Sequence, residues 1–299
     1  MDAPAAVIVN GATGGMDDPE MRQRLTRLIE ESCAGATVTF TEKGSDPADL
    51  AKKAFEQGFK VIVAGGGDGT VGSIASVLAG SGAVLGVLPL GTFNHFAKDL
   101  GIPVDLEAAV QTLATGVVTE VDVGQVNKRT FINNSSLGLY AAIVRHRERK
   151  QGEGQSKRMA ALSALVKALE EYRLFTVNVV VSGQQIIRET PIVFVGNNHY
   201  TMAGLEAGSR SRLDAGHLSL VIPHSRGRLG LFWFSLIALL GREHRAGDLD
   251  IILAKDFRIE SAHRRLEITL DGEVEHMDVP LHYHILPKAL RVIAPAAVQ

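Results

Sequence analysis

The chain has 299 residues, enough to bury a sizeable core and to form one large domain or two of ordinary size. Its 31 basic and 33 acidic residues leave a net charge of -2, so no whole-molecule field points to nucleic acid or another acidic polymer. Cys33 is the only cysteine, which excludes an internal disulfide and any thiolate cluster and fits a reducing compartment.

The N-terminal stretch MDAPAAVIVN lacks the basic start and long apolar region of a signal peptide, so a cytoplasmic protein is expected. AAVIV, residues 5–9, reads as a buried strand followed by a polar glycine loop. Asp18 as N-cap and Pro19 at the first helical position then open a helix with Met21, Leu25, Leu28 and Ile29 on one face. The pattern repeats: ATVTF is a strand, Asp46 and Pro47 start a second capped helix, and KVIVA is a third strand. Val71, Ile74, Ala75 and Leu78 mark the next helix, which ends near Gly80 and Gly82, and VLGVLP is the strand after it. This alternation predicts an α/β domain.

Near TEVDVGQVN, residues 119–127, the rhythm becomes strand-rich, as in LFTVNVVVSG, QQIIRETPIVFVG, HLSLVI, DIILAKDFRIES and RRLEITLDGE. A second, mainly β domain is expected over residues 125–287. Two helical segments interrupt it: Ser156 to Tyr172, with Leu162, Leu165, Val166 and Leu169 on one face, and the apolar stretch Leu229–Leu240. The latter falls short of the roughly 20 residues that span a bilayer; it reads as a buried helix or as one that dips into a membrane interface. Arg145–Arg158 carries six Lys/Arg against two Glu and reads as a solvated loop or as a contact for anionic head groups.

VIVAGGGDGTVGS, Val61–Ser73, places four glycines and an aspartate directly after a strand. Gly67, Gly69 and Gly72 satisfy GxGxxG, but a dinucleotide site also needs a carboxylate at the end of the next strand, which here reads Val87, Leu88, Pro89, Leu90. A Walker loop needs a lysine, and none lies between Lys60 and Lys98. Backbone N–H groups at the turn and the start of the following helix suit phosphate, and Asp68 suits a Mg²⁺ held against it. Together they point to a nucleoside triphosphate. The second loop, LGVLPLGTFNHFAKDLGIP at residues 85–103, also follows a strand and offers Gly91, Thr92 and Asn94. Two such loops after adjacent strands meet at the carboxyl edge of the sheet, where open α/β sheets place ligands.

GGGDGT at 65–70, PLGTFNHFAKDLGIP at 89–103, EVDVGQVN at 120–127 and LDGE at 270–273 resemble the diacylglycerol kinase catalytic family of lipid kinases, over nearly the whole chain. GGDGT alone is shared with NAD kinases; the second block and LDGE carry the discrimination. The resemblance implies an α/β nucleotide-binding domain over residues 1–124, a β-sandwich lipid-binding domain over 125–287, a C-terminal return over 288–299 to the first domain, and an active site in the cleft between them. It implies ATP and Mg²⁺ as cofactors, with Asn10, Gly65, Gly66, Gly67, Asp68, Gly69, Thr70, Gly91, Thr92 and Asn94 on the nucleotide. Asp271 would be the general base toward a lipid hydroxyl, with Glu273 close by. Asp68 and Asp122 would serve the metal, and Asp214 would hold a second, structural one.

The sequence departs from the family in three places. The first loop reads VNGATGG where an asparagine and proline followed by Ser-Gly are usual, His95 stands where many relatives have Asp, and the segment that holds the structural cation reads LDAGHLS. If the strand stayed extended, Asp271 and Glu273 would share a side; Asp-Gly is equally a strong hairpin dipeptide. His282 and His284 share one strand face, with His276 nearby, and read as edge-strand histidines rather than a metal site.

The expected function is ATP- and Mg²⁺-dependent transfer of phosphate to a lipid hydroxyl, diacylglycerol first, by an enzyme peripheral to the inner face of the membrane. A homodimer is left open and no nucleic acid partner is expected. The rivals are an NAD kinase-like enzyme and a non-catalytic lipid- or nucleotide-binding relative; retention of Asp68 and Asp271 argues against the latter.

Overall fold

A computed structural model of the chain describes residues 4–42, 44–138, 174–200, 209–223 and 249–296. The basic run Arg145–Arg158, the helix expected from Ser156 to Tyr172 and the apolar stretch Leu229–Leu240 lie outside the described residues. The chain forms two compact units, residues 1–123 with 286–299, and residues 124–285.

In the first unit β1 (Ala5–Val9), β2 (Thr37–Phe40), β3 (Val61–Gly66) and β4 (Val84–Pro89) form a parallel sheet in the order β2-β1-β3-β4. β1, β3 and β4 are buried along their whole length, which is why they read as unbroken apolar runs: crossover helices cover both faces of such a sheet. Those helices are α1 (Pro19–Ser32), α2 (Pro47–Glu56), α3 (Asp68–Leu78), the single short α4 (His95–Asp99) and α5 (Leu106–Thr115). The carboxylates of Asp18, Asp46 and Asp105 accept the N–H groups of Glu20, Ala48 and Ala108, satisfying donors that a helix start leaves open. α1 packs beside α5 and α2 beside α3, with Leu25, Ile29, Val71, Ile74, Leu78 and Leu113 fully covered.

The order β2-β1-β3-β4 sends the chain one way from β1 and the other way from β3. The crevice where α/β sheets hold ligands therefore opens between the ends of these two strands. The far end of β16 (Leu281–Ala294) lies parallel to β4 in this unit, with Arg291 opposite Val84. Asp122, on β5 (Val117–Val126), fastens that segment by accepting the Lys288 N–H at 2.8 Å.

The second unit holds only strands among its described residues. β7 (Asn134–Gly138), β10 (Ile192–Asn197), β11 (Leu218–Pro223), β12 (Leu249–Ala254), β14 (Arg265–Leu270) and β15 (Glu273–Asp278) form an antiparallel sheet in the order β12-β11-β10-β7-β14-β15. In the other sheet, β8 (Phe175–Val181) lies between β9 (Gln184–Thr190) and β13 (Asp256–Glu260), and β13 pairs with the start of β16; β6 (Arg129–Phe131) pairs with the end of β5. Val177, Val179, Phe257, Ile259, Tyr283 and Ile285 from this sheet meet Leu137, Val193, Val195, Leu220, Ile268 and Leu270 from the six-stranded one in a common core. The architecture is an α/β unit followed by a β-sandwich, as expected. β16 is a strand where the LHYHIL run predicts one and continues to Ala294, whereas β6, β7 and β15 carry no clear strand signal, because their short or polar stretches blur the period-2 alternation.

Tyr283 stacks on Phe257 at 5.0 Å, and its hydroxyl lies 3.0 Å from Ser135 Oγ, with both residues buried. Burial pushes its phenol pKa up, so the group stays neutral and bonded across the core. Tyr283→Phe is expected to lower unfolding stability by about 1 kcal/mol, because it leaves the Ser135 hydroxyl without this partner. Denaturant unfolding of both proteins checks this, and equal stabilities would show that the bond contributes nothing.

Candidate active site

In the first unit the strand-to-helix turn is built for close backbone approach rather than for unusual dihedrals: none of Gly65, Gly66, Gly67 or Gly69 has a positive φ. A Cβ on Gly91 would lie 2.4 Å from the Cα of Gly67, so the second loop rests directly on the first. A Cβ on Gly66 would lie 2.6 Å from Thr70 Oγ1. Gly67 is the N-cap of α3 and supplies no side chain, so the N–H groups of the first turn remain for an outside acceptor. Asn10, at the end of β1, bonds Gly65 O through its N–H at 2.7 Å and Thr70 Oγ1 through its amide at 3.2 Å. Asn10, Gly65, Gly66, Gly67 and Thr70 are thus brought together at the crevice.

Asp68 is the first residue of α3, and its Oδ1 accepts the Phe96 N–H at 3.3 Å, joining the two loops. Asn94 adopts a left-handed conformation (φ 52°). Its Oδ1 accepts from Gly91 N–H at 3.0 Å, and its amide donates to Pro89 O and Gly91 O at 3.1 and 3.0 Å. Asn94 therefore shapes the loop from inside, while Thr92 is exposed. His95 is exposed and stacks on Phe93, with ring centroids 5.6 Å apart.

The donor set suits Mg²⁺, which is typically held by one or two carboxylates plus phosphate oxygens and water rather than by an all-protein cage. The Phe96 N–H engages Oδ1 of Asp68, and a carboxylate has further lone pairs on Oδ2. Asp122 is buried and carries the Lys288 N–H. Asp214 belongs to the second unit, where Arg212 grips both of its oxygens at 3.0 and 3.2 Å; that pair neutralises the carboxylate expected to hold a structural cation. No group of three or more His, Cys, Asp or Glu side chains suited to a metal occurs among the described residues, His276, His282 and His284 included.

In the second unit Asp271 and Gly272 form the two-residue turn of the β14–β15 hairpin, with φ of 48° and 91° and Leu270 paired to Glu273. The strand is therefore not extended through Asp271, and the alternation expected to put Asp271 and Glu273 on one side does not apply. Glu273 begins β15 as an exposed residue. The carboxylate of Asp271 turns instead to the chain between β6 and β7. Its Oδ2 accepts the Ile132 N–H at 2.8 Å, and its Oδ1 accepts those of Asn133 and Asn134 at 2.7 and 3.1 Å. Desolvation by burial outweighs these bonds and the nearby Arg210 charge, and pushes the pKa up to about 6.

Several residues around these sites were not singled out from sequence. Arg210 is buried, whereas Arg212 two positions on is exposed; a loop reading SRSRL gives no means of telling them apart. Asn133 and Asn197 carried a weak signal as asparagines placed among apolar strand residues, and both are buried. Thr41, after β2, accepts the Gly11 N–H at 3.2 Å and so anchors the first loop.

Comparison with known proteins joins the two halves. The diacylglycerol kinase catalytic domain matches residues 4–126, and the YegS C-terminal NAD kinase beta sandwich-like domain matches residues 135–294. The chain belongs to the diacylglycerol kinase family. The family is one of lipid kinases, and the chain is a kinase by that membership. A probable lipid kinase YegS-like protein of Enterobacter sp. (strain 638) is 29% identical over 97% of this chain and 95% of its own length. A diacylglycerol kinase of Staphylococcus aureus (strain MRSA252) is 27% identical over 97% and 92%. The probable lipid kinase YegS of Escherichia fergusonii is 38% identical, but over 48% of this chain and 49% of that protein, so the match spans about half of each. Among solved structures, a putative diacylglycerol kinase from Bacillus anthracis str. Sterne shares the fold, with a TM-score of 0.80 at 22% identity over 99% of both chains.

The raised pKa of Asp271 has a consequence for stability. A carboxyl group titrating near 6 in the folded chain and at 3.8 when unfolded favours folding below pH 3.8 and loses that contribution as the pH rises through 6. The loss should amount to roughly 2 to 3 kcal/mol. Asp271→Asn, which does not ionise, is expected to gain about that much relative to the wild type between pH 4 and pH 7. Denaturant unfolding at both pH values measures it; a constant difference would place the pKa at its ordinary value.

Proposed function

We propose that the chain transfers the γ-phosphoryl group of ATP to a hydroxyl of a membrane-derived lipid, with diacylglycerol as the first candidate, and that Asp271 takes the hydroxyl proton. The observation that carries this reading is the carboxylate of Asp271, held by the N–H groups of Ile132, Asn133 and Asn134 and titrating near 6. Such a group is ionised at neutral pH yet more basic than an ordinary Asp, as a general base requires.

The two units divide the labour. Gly65–Gly69, Thr70 and the first turn of α3 hold phosphate oxygens through backbone N–H groups, and Asn10 and Asn94 keep the surrounding loops in shape. Mg²⁺, with Asp68 and Asp122 as its carboxylates, supplies charge neutralisation at the phosphates when bound. Asp271 orients the lipid hydroxyl. As the oxygen bonds to the γ-phosphorus, the bond to the β–γ bridging oxygen breaks, ADP departs and the proton passes to Asp271. Phosphoryl transfer of this kind needs positioning and charge stabilisation rather than a Cys or His nucleophile. A lipid acceptor implies peripheral contact with a membrane, and no helix among the described residues is long and apolar enough to cross one.

The test offers labelled ATP and Mg²⁺ with diacylglycerol, a sphingoid base, phosphatidylglycerol or NAD. Transfer to diacylglycerol is expected and transfer to NAD is not; label on none of the lipids would overturn the proposal. Asp271→Asn should lower the rate on the order of 10²-fold or more. In the wild type kcat/KM should fall about tenfold per pH unit below about pH 6, as the base protonates.

A further inference from the structure

Arg210 is a cation in the interior of the second unit, 3% exposed. Burying a guanidinium costs several kcal/mol unless its donors and charge are met, so its surroundings indicate what it is kept for. Its Nη1 donates to Ile132 O at 2.6 Å and to Asn197 O at 3.2 Å, its Nη2 donates to Asn133 Oδ1 at 2.7 Å, and its plane covers the Tyr200 ring at 5.2 Å. The carbonyl of Ile132 and the N–H of Asn133 belong to one peptide group, and that N–H donates to Asp271 Oδ1 at 2.7 Å. A single peptide thus has its negative end on the Arg210 guanidinium and its positive end on the Asp271 carboxylate. Asn197 holds the same segment from the same side: its amide donates to Ile132 O at 2.9 Å, and its N–H donates to Asn133 O at 2.9 Å.

We propose that Arg210 is the positioning residue of the Asp271 base, fixing and polarising the Ile132–Asn133 peptide so that its N–H holds the carboxylate in place. Hydrogen bonds in series strengthen one another, so a guanidinium on the carbonyl makes the N–H at the far end a better donor. The charge acts in the same direction: Arg210 lowers the Asp271 pKa against the desolvation that raises it. Among the described residues Arg210 is the charged group that acts on Asp271, while Glu273 is exposed at the start of β15 and Tyr283 is kept neutral by burial and bonded to Ser135. Arg210 need not touch lipid or nucleotide for this role. It sets the charge state and aim of the group that does, and the proposal rests on the reading of Asp271 as the base.

The experiment titrates the Asp271 carboxyl by carbon NMR in the full chain, with Asp271→Asn to assign the signal. It compares wild type, Arg210→Gln, which keeps amide donors and removes the charge, and Arg210→Lys, which keeps the charge and loses the fork. The Asp271 midpoint should rise by about one pH unit in Arg210→Gln and by clearly less in Arg210→Lys. The acidic limb of kcat/KM for lipid phosphorylation should move by the same amount. An Asp271 midpoint unchanged in both variants overturns the proposal, even if activity falls, because a merely structural arginine would lower kcat alike at all pH values. The NMR titration reads the coupling whether or not a lipid is phosphorylated, so failure of the kinase reading and failure of this proposal are distinguishable. If Arg210→Gln does not fold, Asn133→Ala removes one Arg210 contact while retaining the Asn133 N–H; a midpoint unmoved there and in Arg210→Lys likewise overturns it.

Discussion

The role proposed for the second unit depends on how one half-buried carboxylate is held by the backbone. Asp271 sits in a hairpin turn at φ 48°, a conformation that Asp tolerates better than most side chains, and the turn leaves its carboxylate under the Ile132–Asn134 segment. Register does the rest. β14 pairs with β7 so that Thr269 faces Ser136 and Leu270 faces Ser135, and the Ser136 and Thr269 hydroxyls lie 2.6 Å apart. The Asp271 N–H then donates to Asn134 O at 2.9 Å, so the ladder runs directly into the nest. A slip of one residue would put the whole β14 hydrophobic set on the wrong face and take the carboxylate away from its donors. The sandwich core, which penalises that slip, therefore helps to hold this carboxylate against its donors.

On the proposed reading the first unit meets the complementary problem, an anion brought in from outside, with similar chemical means. In both units the groups directly on the anion are backbone N–H groups, and the Arg210 cation of the second unit acts on Asp271 through the Ile132–Asn133 peptide rather than by touching it. The α3 terminus offers N–H groups from glycines that leave room for a ligand, and the Ile132–Asn134 segment offers N–H groups to a resident carboxylate. Backbone donors are fixed by the fold, so they lose little freedom when charge arrives, which a long cationic side chain cannot match. They also demand that the neighbouring chain approach closely, and Gly91 over Gly67 shows how little space is left for any side chain.

Legibility from sequence followed this distinction between local and long-range causes. The caps at Asp18 and Asp46, the prolines after them and the buried parallel strands were readable because each cause lies within a few residues of its effect. The Asp-Gly hairpin was equally local, although it competed with a reading of LDGE as extended. Asp271's donors come from residues about 140 positions away, and the buried character of Arg210 depends on Ile132, Asn133 and Asn197. No periodicity encodes such contacts. Asn94 shows that a local cause can also escape a pattern: its left-handed backbone and bonds to Pro89 and Gly91 lie within five residues, yet no periodicity announces them.

Asp68 ties the glycine motif to a particular kind of ligand. An acid at the first helical position is favoured by the helix dipole, and Phe96 N–H gives it a second, fixed partner, so the side chain is held at the point where the glycine turn meets α3. Alone, a carboxylate there repels phosphate. The repulsion becomes attraction only through a cation shared between carboxylate and phosphate, and a triphosphate with its divalent ion brings that cation with it, whereas a dinucleotide has no need of one. On the proposed ATP and Mg²⁺ reading, Asp68 would therefore disfavour phosphate compounds that arrive without a metal ion, and the charge of the donor, rather than the shape of its base, would be the property this turn reads first.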